Sequence, residues 1–288
     1  MPTQPELYER FRALHQQPGG FIMPNAWDGM SALLMKEAGF AALGTSSAAL
    51  ALALGRLDGR RAVSREEHLE NARLLVRLTG LPVNGDLEDG FGPDPSDVEA
   101  TVAAAIDAGL AGVGIEDTTA NPDKPIHDFD KAVARIRAAV KVAKGRILLT
   151  GRTDNFLQGR NDLEDTIKRL TAFAEAGADV LYAPYPPDMN AVRAIVRAIA
   201  PKPVNLVVGT MKGTLPWPEV QAAGVKRLSL GSALYTRIMG NLAQAGKELM
   251  AGDLAAGAGE QPSTSTGISF RQLSKLMSDA TQDARSVG

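Results

Sequence analysis

The pattern that sets the architecture is AGVGIEDT (residues 111–118), followed by FDKAVARIRAAVKVA (129–143) and RILLTGRTD (146–154). The first and third segments are short apolar runs of the kind that form buried strands, and the second has the apolar spacing of an amphipathic helix. Strands that alternate with helices indicate a parallel sheet, because parallel neighbours need a crossover connection. This part of the chain therefore predicts an α/β fold.

The same strand–helix unit recurs about eight times along the 288 residues. The other apolar runs are FIMPNAW (21–27), FAALGTSS (40–47), LPVNGDLED (81–89), ADVLYAPYP (178–186), KPVNLVV (202–208) and VKRLSLGS (225–232). This number of units favours a closed (β/α)8 TIM-type barrel. An open doubly wound sheet is the alternative, but its glycine-rich dinucleotide fingerprint is not found in PNAWDGMSA (24–32), after the first run.

The chain changes character after Met250. The segment AGDLAAGAGEQPSTSTG (251–267) is small, polar and glycine-rich, as linkers are. The segment ISFRQLSKLMSDA (268–280) then regains helical periodicity, with an apolar stripe that must be buried against the barrel or a neighbouring subunit. We therefore expect a catalytic barrel at 1–250 and a linker with a C-terminal helical arm at 251–288.

Composition excludes several classes of protein. Lys and Arg number 31 against 33 Asp and Glu, so the net charge is -2 and no basic field is available for nucleic acid. The chain has no cysteine, which excludes disulfides, thiolate zinc sites and cysteine nucleophiles. Neither a membrane-spanning run nor a signal peptide is found, and we expect a cytoplasmic protein without a membrane partner. His15 and His68 fall on helices expected at the surface, whereas His127 and Lys124 lie in a loop near the predicted site.

Polar residues collect where the predicted strands end. In a (β/α)8 barrel these ends form the active site. Asp86 and Glu88 end the third strand, and Glu116 ends the fourth. Carboxylates this close repel one another unless a cation lies among them, and all-oxygen ligands suit Mg²⁺ or Mn²⁺. The alternative is that these acids cap helices or pair with Arg152, which ends the fifth strand.

Arg152 offers a planar fork to a carboxylate or phosphonate, and it can also form a salt bridge to Glu116 or Asp154. The hydroxyl and N–H groups of GTSS (44–47) suit an anionic oxygen. No lysine falls at a predicted strand end, which argues against a Schiff-base aldolase.

Five of these strand ends together resemble one family. PNAWD (24–28), GTSS with GRLD (55–58) behind it, DLEDGFG (86–92), GIED (114–117) and GRTDNF (151–156) are similar to segments of the isocitrate lyase/phosphoenolpyruvate mutase superfamily. The resemblance runs from about Phe21 to Met250. It implies a (β/α)8 barrel, an Mg²⁺-dependent site for a small 2-oxo acid, and a homodimer or homotetramer in which the C-terminal helix is exchanged between subunits.

The resemblance also implies roles for individual residues. Metal binding is implied for Asp86 directly, and for Glu88 and Glu116 through water. Asp58 matches a further acid near the metal, and with Arg152 and Glu116 it forms the expected catalytic set. Substrate binding is implied for Thr45, Ser46, Arg152 and Asn205, with Arg152 at the distal anionic group.

The chain departs from the family in two loops. Isocitrate and methylisocitrate lyases carry a cysteine-containing loop after the fourth strand, where this chain has TTANPDKP (118–125). The mutase histidine near strand six is replaced by APYP (183–186). We therefore expect an Mg²⁺-dependent carbon–carbon lyase, oxaloacetate decarboxylase-like or a related carboxylate lyase, acting through a pyruvate enolate. The alternatives are C–P chemistry, of the phosphoenolpyruvate mutase or phosphonopyruvate hydrolase type, and a non-catalytic barrel that binds 2-oxo acids.

Overall fold

Strands and helices alternate along the chain. The computed structural model describes residues 1–59, 61–208, 216–254 and 268–285. The strands are β1 (Phe21–Met23), β2 (Leu43–Gly44), β3 (Val83–Asp86), β4 (Gly112–Glu116), β5 (Leu148–Arg152), β6 (Val180–Tyr182), β7 (Val204–Val207) and β8 (Arg227–Ser229). The helices are α1 (Gln4–Gln16), α2 (Gly29–Glu37), α3 (Ser47–Ala53), α4 (Arg65–Thr79), α5 (Pro95–Asp107), α6 (Phe129–Ala143), α7 (Leu163–Ala176), α8 (Met189–Ile199), α9 (Trp217–Ala222), α10 (Ala233–Met250) and α11 (Phe270–Arg285).

The eight strands seen in these ranges form one parallel sheet in the order β1-β8-β7-β6-β5-β4-β3-β2. An isolated parallel bridge between Asn25 and Gly44 joins the ends of β1 and β2 and so brings the sheet close to a full ring. The predicted (β/α)8 barrel is confirmed. No helix within the described residues is long and apolar enough to cross a membrane.

Local sequence explains where the outer helices begin and end. Asp28 caps α2 by accepting a hydrogen bond from the Ser31 N–H at 2.7 Å, and Ser64 caps α4 in the same way through Glu67. Gly80 and Gly177 end α4 and α7 with positive φ angles of 63° and 112°. Glycine adopts this left-handed conformation at little cost, so the chain can turn directly from each of these helices toward the next strand.

One helix was not expected from the sequence. Helix α3 follows β2 directly, with the Ser46 hydroxyl as its N-cap. Helix α1 precedes the barrel and buries Leu7 and Phe11 against Met23 and Leu148. Because Phe21 and Leu148 begin their strands, α1 covers the N-terminal end of the barrel, and the opposite end is left for the site.

The C-terminal helix α11 packs on the outside of its own barrel. Ala280 is 5% exposed and lies with Leu33 of α2 and Leu78 of α4, beside Met277. The predicted linker falls largely at residues 255–267, outside the described residues. Exchange of this helix between subunits stays a prediction.

Candidate active site

The strand register brings the polar strand ends together. Glu116, at the end of β4, is paired with Arg152, at the end of β5, and Arg152 is paired with Tyr182, at the end of β6. Asp86 ends β3 on the other side of β4. The C-terminal mouth of the barrel therefore holds two acids, a guanidinium and a phenol on four neighbouring strands.

Arg152 is the centre of an ion-pair cluster. Its Nε and Nη2 donate to the two carboxylate oxygens of Asp154 at 2.6 and 2.9 Å, and Nη2 lies 3.0 Å from Glu116 Oε2. Nη1 lies 3.5 Å from Asp86 Oδ1, and the guanidinium lies 5.3 Å from the centroid of the Tyr182 ring. The Arg152 side chain is 16% exposed, so these contacts fix its fork while one edge still faces the cavity.

Asp86 is held by residues of the preceding strand and helix. Its Oδ2 accepts hydrogen bonds from the backbone N–H and the hydroxyl of Ser47, both at 3.0 Å. Its own N–H donates to the Thr45 hydroxyl oxygen at 2.8 Å. The side chain is 25% exposed. Because Ser47 occupies Oδ2, Oδ1 is the oxygen placed toward Arg152 and the cavity.

Mutual repulsion and burial raise the pKa values of two acids. Burial raises the pKa of Glu116 well above its usual range; Arg152 opposes this rise, and the charges of Asp154 and Asp86 add to it. Asp58 has an exposed side chain on the cavity surface, yet partial desolvation and the charges of Asp86 and Glu88 raise its pKa. Both acids therefore favour protonation or a nearby cation.

Glu88 is buried and its backbone has a positive φ of 48°. Its Oε1 lies 3.2 Å from His68 Nε2, and the His68 ring packs 5.3 Å from that of Phe91. A left-handed backbone at a non-glycine residue is typical of sites where the surroundings fix a functional side chain. His68 thus anchors Glu88.

Two adjoining cavities open at this mouth. The larger, about 310 Å³, is lined by Glu88, Glu116 and the loop at 118–125. The smaller, about 160 Å³, is lined by Asp86 and by residues from the barrel interior. Asp58 and Arg152 line both cavities. The three acids expected at the metal therefore border two adjoining cavities, with Glu88 and Glu116 on the larger and Asp86 on the smaller.

The acids fit a hydrated divalent cation better than a fully protein-ligated one. Within the described ranges, no group of three or more His, Asp or Glu side chains is arranged to hold a metal on its own. Mg²⁺ commonly keeps several waters and takes one or two carboxylates directly. Asp86 Oδ1 can supply a direct ligand. Glu88, Glu116 and Asp58 line the adjoining cavity, as expected for acids that would hold the ion through bridging waters.

The residues expected to bind substrate all line the smaller cavity, namely Thr45, Ser46, Asn205 and Arg152. The Thr45 N–H already donates to the Asn84 carbonyl at 2.9 Å, so this group is not free for a ligand. The Ser46 hydroxyl caps α3 through the Ala49 N–H. The Ser46 N–H, which has no partner among the described residues, and the Thr45 hydroxyl proton remain available.

The surface placement expected for His68 is wrong, and that expected for His15 holds only in part, because its side chain is half-buried. His68 is 2% exposed, as described above. His15 packs edge-on against Phe11 and Phe21, and burial lowers its pKa to about 3. His127 is also buried, whereas Lys124 is exposed and pairs with Asp128. Neither lines the two cavities.

Sequence reasoning gave no site role to two residues that the structure brings to the site, namely His68 on Glu88 and Arg227 inside the barrel. Ser47 lies in the GTSS segment already expected at the site and contacts Asp86, and Tyr182, from the sixth apolar run, lies beside Arg152. The signal for Arg227 was present in the sequence. Arg227 alternates with Ser229 in β8, and strand alternation puts both on one face.

The comparisons with known proteins agree with this geometry. The chain is similar to 2-methylisocitrate lyase of Bacillus subtilis (36% identical over 186 residues, 62% of this chain and 60% of the relative). It is similar to oxaloacetate decarboxylase of Paraburkholderia xenovorans (33% over 200 residues, 66% of this chain and 65% of the relative). A solved structure of oxaloacetate acetylhydrolase with the product oxalate is similar over 100% of both chains, with a TM-score of 0.85 and 26% identity.

The family model described as phosphoenolpyruvate phosphomutase matches residues 11–250, which include every strand of the barrel and each strand-end acid described above. The relatives reported above include a 2-methylisocitrate lyase and an oxaloacetate decarboxylase. Barrel, mouth and sequence therefore agree, and the chain belongs to the phosphoenolpyruvate mutase/isocitrate lyase superfamily.

Proposed function

We propose that this chain is an Mg²⁺-dependent lyase that cleaves a C–C bond of a small 2-oxo acid, in the manner of an oxaloacetate decarboxylase or a related carboxylate lyase. The observation that carries the proposal is the convergence of Asp86 and Glu116 on Arg152 at the barrel mouth, where Arg152 lines both cavities. The similarity to lyases that act on small carboxylates supports the same reaction class.

The proposed metal site consists of Asp86 as a direct ligand and of Glu88, Glu116 and Asp58 through water. Bound Mg²⁺ would supply a Lewis acid that favours negative charge on the 2-oxo oxygen. The raised pKa values of Glu116 and Asp58 link metal binding to proton release, since the ionised acids are the ones that hold the cation.

The substrate is proposed to lie in the smaller cavity. The Ser46 N–H and the Thr45 hydroxyl bind the carboxylate next to the 2-oxo group, and Asn205 contacts the inner end. Arg152 orients the carboxylate that departs. When this C–C bond breaks, its electron pair forms a pyruvate enolate, and donors fixed in advance stabilise that charge more than the neutral ketone.

Residues 118–125 provide the cover of the larger cavity. Thr118, Thr119 and Asn121 line it, and an antiparallel bridge between Thr118 and Ile126 holds the base of the loop together. A cover of this kind over the adjoining larger cavity keeps water away from the enolate in the smaller one while it awaits a proton. The same loop lacks the cysteine of isocitrate lyases, which supports a substrate other than isocitrate.

Metal dependence is the first test. With oxaloacetate or another small 2-oxo acid, we expect turnover in Mg²⁺ or Mn²⁺, its loss in EDTA, and recovery when the metal is restored. Pyruvate release measured by a coupled assay reports C–C cleavage. Phosphate release from phosphonopyruvate would select C–P chemistry instead, and oxalate binding without turnover of any of these compounds would favour the non-catalytic barrel.

The assembly can be tested through the C-terminal arm. We propose a cytoplasmic homodimer or homotetramer in which α11 is exchanged between subunits. A chain ending at Met250 loses the apolar contacts of Met277 and Ala280, so we expect a smaller oligomer by size-exclusion chromatography with light scattering. An unchanged molar mass per particle would contradict exchange.

A further inference from the structure

Arg227 is a buried cation in the interior of the barrel. It begins β8 and is 2% exposed. Its Nε donates to Asn205 Oδ1 at 2.7 Å, and its Nη2 donates to the Thr150 hydroxyl oxygen at 3.0 Å. Its guanidinium carbon lies 5.9 Å from the centroid of the Phe11 ring, at the end that α1 closes.

Arg227 has no carboxylate partner among the described residues, unlike Arg152, whose guanidinium contacts three acids. Its Nη1 lies 3.4 Å from His15 Nε2, and the low pKa of His15 keeps that ring neutral. Burial lowers the pKa of Arg227 to about 10, so the guanidinium is charged at neutral pH. An isolated buried charge opposes folding, so its presence calls for a functional reason.

The location of Arg227 indicates a role at the smaller cavity. Arg227, Asn205 and Ser229 line the inner end of the smaller cavity, and Asp86 and Arg152 line its mouth. Because Asn205 Oδ1 accepts from Arg227, the amide nitrogen must point the other way, and it donates to the Ser229 hydroxyl oxygen at 2.9 Å. Arg227 therefore fixes which end of the Asn205 amide is presented to the cavity.

We propose that Arg227 is a positioning residue for the reaction: it fixes the Asn205 amide and places a positive charge behind the substrate cavity, where it favours anionic substrates and the enolate. This inference rests on the proposed function, because it assigns the smaller cavity to a 2-oxo acid. Charge in a water-poor interior acts at longer range than charge in solvent, so Arg227 acts without contacting the substrate.

The test compares Arg227→Met with the wild type, both loaded with Mg²⁺. Oxalate, a dianion, and oxamate, a monoanion, are titrated by calorimetry. We expect oxalate affinity to fall about tenfold or more and oxamate affinity to fall less. With a turned-over 2-oxo acid, we expect kcat to fall more than KM rises, since the charge favours the transition state. Unchanged affinity for oxalate with unchanged kcat would overturn the inference.

Thermal unfolding separates this role from a structural one. Met fills a similar volume without charge, so the Tm of Arg227→Met is expected to equal or exceed that of the wild type. The matched control is Arg169→Met. Arg169 is also buried but pairs with Asp117 and Asp165 at 3.1 and 2.7 Å, so its loss should lower the Tm. A lower Tm for Arg227→Met, with oxalate binding and kcat unchanged, would assign Arg227 to structure alone.

If Arg227→Met does not fold, Arg227→Lys tests the positioning role instead. Lysine keeps the charge but cannot bond Asn205 and Thr150 with a planar fork. We expect near-wild-type oxalate affinity and a kcat reduced about tenfold, whereas a wild-type kcat would overturn the positioning role. If the wild type neither binds oxalate nor turns over a 2-oxo acid, both the proposed function and this inference fail. If the wild type binds oxalate normally and the Arg227 variants bind it equally well, only this inference fails.

Discussion

Replacement of Asp86 by asparagine is expected to lower kcat by about 10²–10³-fold or more, with the barrel intact. Asparagine keeps the shape of the side chain and can still accept from Ser47. It removes the charge on the oxygen that faces Arg152 and the cavity. Steady-state rates over a range of Mg²⁺ concentrations, together with calorimetric Mg²⁺ binding, measure the effect.

A matched variant separates this effect from a general loss of negative charge. Asp130→Asn removes one acid from the exposed first turn of α6, on the outer helix layer, and should leave both kcat and Mg²⁺ affinity unchanged. If Asp86→Asn retains wild-type turnover at the same Mg²⁺ concentration, Asp86 is not the metal ligand and the proposed site is wrong.

Replacement of Arg152 by methionine is expected to abolish turnover and to destabilise the fold by about 3–5 kcal/mol at neutral pH. The substitution leaves Asp154, which is 1% exposed, and Glu116, which is 12% exposed, without their counter-charge. Urea unfolding measures the free energy. A variant as stable as the wild type would show that the ion pairs hold the site without stabilising the chain.

The pH dependence of this destabilisation has a defined sign. Burial already raises the pKa of Glu116, and Arg152 opposes that rise, so the folded-state pKa of Glu116 rises further in Arg152→Met. A carboxyl whose pKa is higher in the folded than in the unfolded state favours folding below the unfolded-state pKa, and this contribution is lost as the pH rises through the folded-state pKa. The variant should therefore approach wild-type stability as the pH falls from 8 toward 5.

Sequence reasoning identified the barrel because its signal is redundant. Each unit repeats a short apolar run, a helix and a glycine such as Gly80 or Gly177, so an error in one unit does not change the fold. Helix α3 was missed because it occurs once and lies outside that repeat. Local spacing indicated Asp86, Glu116 and Arg152 for a similar reason, since each follows an apolar run at a strand end.

The errors lie where the environment of a side chain depends on packing. His68 shares the inward face of α4 with Ala72 and Leu75, at spacings of four and seven residues, so its burial was present in the helical periodicity but was not used. Which of its atoms faces Glu88 depends on the positive φ of Glu88, which no spacing reveals. Arg152 lines both cavities, and the geometry of its ion pairs depends on how the strand ends pack together.

The position of α1 has a kinetic consequence. Leu7 and Phe11 close the N-terminal end of the barrel. In the described part of the chain, substrate and product therefore exchange between the cavities and solvent only through the mouth. A product must leave through the same opening by which the next substrate enters. Whatever remains bound there at the end of a turnover should therefore compete directly with fresh substrate.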